Sequence, residues 1–261
     1  MGMPDNNDNG NHKELDYEFP EVVRIRHSTI FPFVNNSERK PVGACDGTII
    51  NNNWILTSGH CCFDRDGRTL PPHTISIAVG AIYDDTHSSD KNPITHDEGL
   101  TGIKFTATRV VTHPKYSNTD DVIMWDFCLL QVQEDMLKNN EYASAVQFQA
   151  PTSGDPHSNV ECVVVGWGES ADRLLANVEL DDGICDHKAY GEEFCVGLSK
   201  TGTIKYIGDG GGPLFCQQED RIYKQYGMVS SGKLFGSTDE KFIYTKTDGI
   251  RDWIRQVMKH K

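Results

Sequence analysis

Residues 208–216 are Gly208-Asp209-Gly210-Gly211-Gly212-Pro213-Leu214-Phe215-Cys216. Gly210, inside this stretch, has no side chain and therefore brings no reactive group to its loop. Four further segments accompany the stretch in a fixed order, at residues 45–61, 126–130, 162–168 and 244–254. We interpret the five segments together, because any one of them alone would carry little weight.

Short apolar runs alternate with polar turns about every ten residues from Phe19 onward. They lie at residues 22–25, 47–50, 54–57, 75–79, 107–111, 127–132, 162–165, 227–230 and 242–245. Many short β-rich runs separated by turn residues favour a sandwich or barrel over alternating strands and helices. The sequence therefore predicts an all-β fold.

The ends and connections of the chain differ from this pattern. Residues 1–17 form a polar arm, residues 84–98 a long hydrophilic insertion, and residues 133–160 a polar boundary between two lobes at about 18–133 and 160–247. Apolar residues spaced i, i+3, i+4 and i+7 from Ile250 to Val257 predict an amphipathic C-terminal helix at about 249–259. Asp248 stands at the expected N-cap position.

The composition of the chain disfavours several classes of partner. The chain has 261 residues, 37% of them hydrophobic, which suffices for one large β domain or two small lobes. A net charge of −13 makes nucleic acid and anionic membranes poor partners. No apolar run reaches the roughly 18–20 residues that span a bilayer, and residues 1–12 contain no apolar secretory segment.

Eight cysteines are present, at positions 45, 61, 62, 128, 162, 185, 195 and 216. Their number is even and none has zinc-finger spacing, which predicts four disulfides in an oxidising compartment and no metal or cofactor. The glycosylation sequon at residues 35–37 agrees with a secreted protein.

Together, the five segments resemble the chymotrypsin-like (S1) family of serine proteases over residues 18–257. Residues 45–61 are similar to the family's Trp-containing strand and histidine turn, 126–130 to its aspartate strand, and 162–168 to its Cys-x-x-x-Gly-Trp-Gly segment. Residues 244–254 are similar to its C-terminal strand and helix. The resemblance implies two six-stranded antiparallel β-barrels with the active site in the cleft between them.

The same resemblance implies the roles of the site residues. His60 matches the histidine that takes a proton, Asp126 the buried aspartate that orients it, and Ser230 the serine that supports the aspartate. Gly210 stands where the family has its serine nucleophile. With Gly208 and Asp209 it forms the oxyanion loop, whose backbone N–H groups would remain available.

Further departures from the family pattern oppose catalysis. The region before residue 18 offers no Ile/Val-Val-Gly-Gly start, so Asp209 lacks its usual ammonium partner, and Lys205 is a candidate replacement. Nothing in the sequence indicates that Ser230 or Ser231 could move to His60 and act as the nucleophile.

The specificity pocket of the family looks filled in this sequence. Ile204 falls at its base, and Phe242 falls at a wall position that is normally glycine. Tyr206 replaces a cysteine that braces the pocket, and Ser231 replaces the tryptophan of the substrate-binding strand.

The resemblance also implies three disulfides, Cys45–Cys61, Cys162–Cys216 and Cys185–Cys195. The remaining Cys62 and Cys128 follow the histidine and aspartate positions by two residues each, so we expect them to pair; two free thiols are the alternative. The family binds calcium in a loop corresponding to residues 84–98, but its first acidic ligand falls near Ala81. We therefore expect a solvated acidic loop without metal.

The sequence thus predicts a secreted, monomeric and catalytically inactive serine protease homologue that binds a protein partner. It resembles arthropod homologues that act as cofactors in immune cascades, and inactivated protease paralogues of parasitic mites that interfere with host complement. The alternative is an active trypsin-like serine endopeptidase captured as a Ser-to-Gly mutant.

Overall fold

The computed structural model describes residues 18–27, 44–64, 66–82, 101–119, 122–148, 160–167, 173–180, 193–198, 210–231 and 241–259. In chain order, the first eight strands are β1 (Val22–His27), β2 (Ala44–Asn51), β3 (Trp54–Thr57), β4 (Ile75–Val79), β5 (Ile103–Thr112), β6 (Ser117–Thr119), β7 (Val122–Met124) and β8 (Cys128–Val132). The next six are β9 (Cys162–Gly166), β10 (Leu174–Leu180), β11 (Glu193–Leu198), β12 (Pro213–Gln217), β13 (Tyr223–Ser231) and β14 (Lys241–Lys246).

Twelve of these strands close into two antiparallel barrels. The first has the order β1-β2-β3-β8-β5-β4 and the second β10-β11-β14-β13-β12-β9, while β6 and β7 form a separate hairpin. The prediction of two six-stranded antiparallel β-barrels is therefore confirmed. The predicted arm at residues 1–17 lies outside the described residues, and so does the whole insertion at 84–98.

The strand predictions missed β6, β7, β10, β11 and β12. In β10, buried Ala176 and Val178 alternate with exposed Leu175 and Asn177, so no continuous apolar run marks the strand. β12 follows directly on the glycine-rich stretch, whose turn residues obscure where the strand begins.

A short helix ends the described chain. Helix α1 spans Arg251–Lys259 and follows a 3₁₀ turn over Asp248–Ile250. The prediction that Asp248 caps the helix is wrong, because this residue lies inside the 3₁₀ turn, and Thr247 precedes the turn without a side-chain capping bond.

Each barrel has its own apolar core, and two further clusters join the barrels. Val22, Trp167 and Phe215 belong to a cluster shared by strands of both barrels. On another side, Ile250 and Ile254 of the C-terminal region pack in a cluster with Leu56, Phe127 and Met228. Because these clusters hold the barrels together, side chains from both can meet at one site.

Candidate catalytic site

Four segments from the two barrels converge on the candidate site. His60 lies on a 3₁₀ turn, Gly59–Cys62, that follows β3, and Asp126 lies just before β8. Ser230 is in β13 of the second barrel, and Gly210 comes just before β12. The structure thus brings together four residues that the sequence places far apart.

Asp126 receives three hydrogen bonds from these neighbours. Its Oδ2 lies 2.8 Å from Nδ1 of His60 and accepts a 2.7 Å bond from the Ser230 hydroxyl, while its Oδ1 accepts a 2.8 Å bond from the backbone N–H of His60. The aspartate is fully buried, whereas 29% of the His60 side chain is exposed. Asp126 therefore fixes the orientation of an imidazole that solvent can still reach.

The protonation of His60 reflects two opposing effects. Burial lowers the pKa of the imidazole, but the charge of Asp126 and its hydrogen bond raise it, and the net effect is a pKa above the ordinary value. The pair is therefore suited to hold a proton on the imidazole.

Close packing and two disulfides fix the turn that carries His60. A Cβ added at Gly59 would lie 2.6 Å from the ring of Tyr116, so only glycine lets this ring approach. Cys61 is bonded to Cys45 of β2, and Cys62 to Cys128 of β8.

These bridges show whether Cys62 and Cys128 are paired or free, which the sequence left open. The structure contains the expected disulfides Cys45–Cys61, Cys62–Cys128 and Cys162–Cys216. The alternative of free thiols at Cys62 and Cys128 is wrong, because the two side chains meet between the His60 turn and β8.

Gly210 lies directly against the imidazole of His60. A Cβ built on Gly210 would overlap the Nε2 and Cε1 atoms of the ring and would lie 3.1 Å from Sγ of Cys61. Sγ of Cys61 itself lies 3.6 Å from Nε2 and belongs to a disulfide. Glycine offers the imidazole no hydroxyl, and the ring occupies the space that a side chain at 210 would need.

The backbone at Gly210 is hydrogen-bonded to the backbone of Asp46, whose side chain belongs to a buried ion pair that the sequence analysis missed. The Gly210 carbonyl accepts a 2.9 Å bond from the N–H of Asp46, whose Oδ1 lies 2.8 Å from Nη1 of Arg24. Both side chains are fully buried, and the guanidinium lies 5.4 Å from the ring centroid of Trp167.

A sequence signal for this pair did exist. Arg24 interrupts the apolar run 22–25, and Asp46 directly precedes the run 47–50, so two neighbouring predicted strands are associated with charges of opposite sign. The two residues are cross-strand partners in the β1–β2 ladder. The next residue after Gly210 is also constrained, because Gly211 has φ +87° and a Cβ there would overlap the Asp46 carbonyl.

Several predicted site residues cannot be placed. Those that lie outside the described residues are Gly208, Asp209, Ile204, Tyr206, Lys205 and Cys185. Ser231, Phe242 and Cys195 lie in β13, β14 and β11, but only their backbones are described. The oxyanion loop, the filled pocket and the bridge Cys185–Cys195 therefore stay predictions.

One group in the described part of the chain has metal-ligand chemistry. The ligand atoms of Cys45, His60 and Cys61 lie within 4.8 Å of one another. Both sulfur atoms are engaged in a disulfide, so they are not available as thiolate ligands. Within the described residues, no helix has the length and apolar character needed to cross a membrane.

Two closed barrels, with a buried aspartate that binds a histidine and a serine at their junction, have the architecture of a serine protease domain. The Trypsin family profile matches residues 25–254, and the chain belongs to this family. It contains a trypsin-like serine protease domain.

The chain is similar to parts of several longer proteins. The chain is 25% identical over 224 residues to coagulation factor XI of Bos taurus, covering 80% of this chain and 32% of the relative. It is 25% identical over 238 residues to tissue-type plasminogen activator of Homo sapiens, covering 82% and 39%. With serine protease 7 of Drosophila melanogaster it shares 25% identity over 270 residues, covering 96% and 64%. The chain thus spans between about a third and two thirds of the length of these relatives.

Proposed function

We propose that this chain is a secreted, catalytically inactive serine protease homologue that acts by binding a protein. The observation that supports the proposal is the contact between Gly210 and His60, in which the residue against the imidazole has no hydroxyl. In an unrelated protease fold, removal of the serine nucleophile lowers kcat by roughly 10⁶-fold. A site of this kind can hold a proton but has no serine to acylate.

Secretion is supported by the disulfides. The described residues contain three bridges, and such bonds persist in oxidising compartments. We propose a domain at residues 18–257, preceded by the polar arm 1–17, that works as a monomer.

The proposed partner is a component of a protease cascade or of host immunity. A chain with a protease surface but no nucleophile can act as a cofactor, as a decoy for protease partners, or as an agent that interferes with host complement. The cofactor role is that of some arthropod homologues, and interference with complement is that of the mite paralogues, which the sequence resembles. The charge of −13 does not favour nucleic acid or a membrane as partner.

The substitution Gly210→Ser tests this proposal. We expect no turnover of peptide amide substrates and no fluorophosphonate labelling, because a side chain at 210 overlaps the imidazole that would have to activate it. The double variant Gly210→Ser/His60→Ala is the control for background signal. Robust turnover that depends on His60 would overturn the proposal.

That outcome would favour the second candidate, an active trypsin-like serine endopeptidase in which a serine at 210 has been replaced. This second candidate is supported by the complete set of hydrogen bonds among His60, Asp126 and Ser230. The same variant and the same labelling assay separate the two candidates.

A further inference from the structure

A shallow groove of about 200 Å³ lies at the junction of the barrels and shares no lining residue with the candidate catalytic site. Residues before β1, the connection between the barrels and the hairpin of β12 and β13 all contribute to it. Its lining includes Phe19, Glu21, Val146, Phe215, Ile222 and Tyr223.

Aromatic side chains form one wall of the groove. The ring of Phe19 stacks on Phe215 at 4.8 Å between centroids and meets Tyr223 edge-on at 5.4 Å. Phe19 has φ +74°, a left-handed conformation that is uncommon for a bulky residue. The surrounding packing therefore holds Phe19 in a strained conformation, as is often found at binding sites.

Ile222 forms the outer edge of the groove. It is 47% exposed, although it lines the same cavity as the buried Phe19 and Phe215. A single exposed isoleucine is ordinary on a protein surface. Beside three aromatic rings in a concave site, however, it supplies apolar area that a ligand side chain could cover.

The carboxylates of Glu18 and Glu161 affect the pKa of Tyr223, which lines the groove. Burial, a hydrogen bond with Glu161, and the charges of Glu161 and Glu18 raise the pKa of Tyr223 to about 12. A third carboxylate, Glu21, lies in the lining and accepts a 2.9 Å bond from the Ser144 hydroxyl. The groove thus combines an apolar wall with a negatively charged rim.

The cations near the groove already have partners or lie outside its lining. Arg173 donates long bonds of 3.4 and 3.5 Å to the backbone carbonyls of Phe19 and Glu18. Lys224 lies 3.4 Å from Asp220, and Arg221 is exposed on the β12–β13 hairpin. Arg173 makes further contacts besides these two bonds, so both it and Lys224 are engaged by other groups.

We infer that this groove binds a cationic peptide segment of a protein partner, with an arginine or lysine beside an apolar residue. The cation would lie between Glu18 and Glu161 over the ring of Tyr223, where carboxylates and an aromatic face both attract it. The neighbouring apolar side chain would pack between Phe19 and Ile222. The inference rests on the proposed binding role and assigns that role to one surface.

Negative charge disfavours two other occupants of the groove, the chain's own residues 1–17 and a second copy of the chain. The chain's own residues 1–17 contain four acidic residues and one lysine, so the carboxylates of the rim would repel them. A second copy of the chain carries a net charge of −13 and is disfavoured for the same reason.

A labelled peptide tests the inference on the full chain. The probe is fluorescein-labelled Gly-Leu-Arg-Leu-Gly amide, titrated by fluorescence anisotropy at low ionic strength, and the control peptide has glutamate in place of arginine. We expect binding of the arginine peptide only, about tenfold weaker for Glu18→Gln/Glu161→Gln and about fivefold weaker for Ile222→Ser. The matched surface variants Glu134→Gln and Ile103→Ser, in the first barrel, should bind as the unmodified chain does.

Three outcomes would overturn the inference: equal binding of both peptides, no effect of the groove variants, or dimers that require Ile222 in sedimentation experiments. Mass spectrometry of the probe after titration shows whether it has been cleaved. Cleavage would count against the proposed inactivity, whereas an intact probe that fails to bind would count only against the groove.

Discussion

The two halves of the candidate site differ in how completely their groups are engaged. On one side, His60, Asp126 and Ser230 form a continuous set of hydrogen bonds around a buried carboxylate. On the other side, Gly210 offers only its backbone, and the imidazole rests on it. Among the described residues, the one that lies against the imidazole is Gly210, which has no hydroxyl, so the hydrogen bonds of the first half do not by themselves establish catalysis.

The largest effect should come from the ion pair beneath Gly210. We expect Arg24→Met to lower the free energy of unfolding by about 3–5 kcal/mol, because it leaves the buried Asp46 without its cation. Urea unfolding followed by tryptophan fluorescence measures the loss. The double variant Arg24→Met/Asp46→Leu should recover much of it, and a loss below about 1 kcal/mol in the single variant would contradict the expected penalty for breaking a buried ion pair.

A smaller effect should follow from filling the space over Gly210. Gly210→Ala should destabilise the fold by about 1–3 kcal/mol, since its Cβ overlaps the His60 ring. In a His60→Ala background this penalty should largely disappear, because the overlapping ring is gone. Equal penalties in both backgrounds would mean that the imidazole does not occupy the space of the missing side chain.

The smallest expected effect on the free energy of unfolding comes from the protonation of two histidines, His60 and His113, whose pKa values shift in opposite directions. In NMR titrations the pKa of His60 should lie above the ordinary histidine value, because the charge of Asp126 and its hydrogen bond together outweigh the effect of burial. Its contribution to stability is fully present below the unfolded-state pKa and is lost as the pH rises through the folded-state value. In the Asp126→Asn variant the midpoint should fall, and an unchanged midpoint would contradict the assigned cause.

His113 serves as the internal control in the same spectra. It stacks on Trp125 at 4.8 Å, and burial, with a smaller effect from the Lys115 charge, lowers its pKa to about 4. Its contribution to stability is present above about pH 6.5 and is lost as the pH falls towards 4. Asp126→Asn should leave the His113 midpoint unchanged.

The sequence predicted strands because runs such as 54–57 and 75–79 carry the β signal locally, whereas their closure into two barrels was predicted through resemblance to a family. It also predicted that His60 and Asp126 meet, but only through resemblance to a family, since 66 positions separate them in sequence. The Arg24–Asp46 pair was missed because a charge inside an apolar run is ambiguous until the strand register is known. Likewise, no pattern in the sequence shows that the imidazole of His60 lies against Gly210, since that contact depends on how the two barrels pack.

The adjacent Cys61 and Cys62 have a further consequence. Their bridges run to β2 and to β8, the two neighbours of β3 in the first barrel, so the turn that carries His60 is tied covalently on both sides. Oxidative folding has to distinguish two neighbouring thiols, because exchanging their partners would rotate the turn. The position of the imidazole is therefore decided when the disulfides form, and selection for correct folding can preserve it whether or not any substrate is ever cleaved.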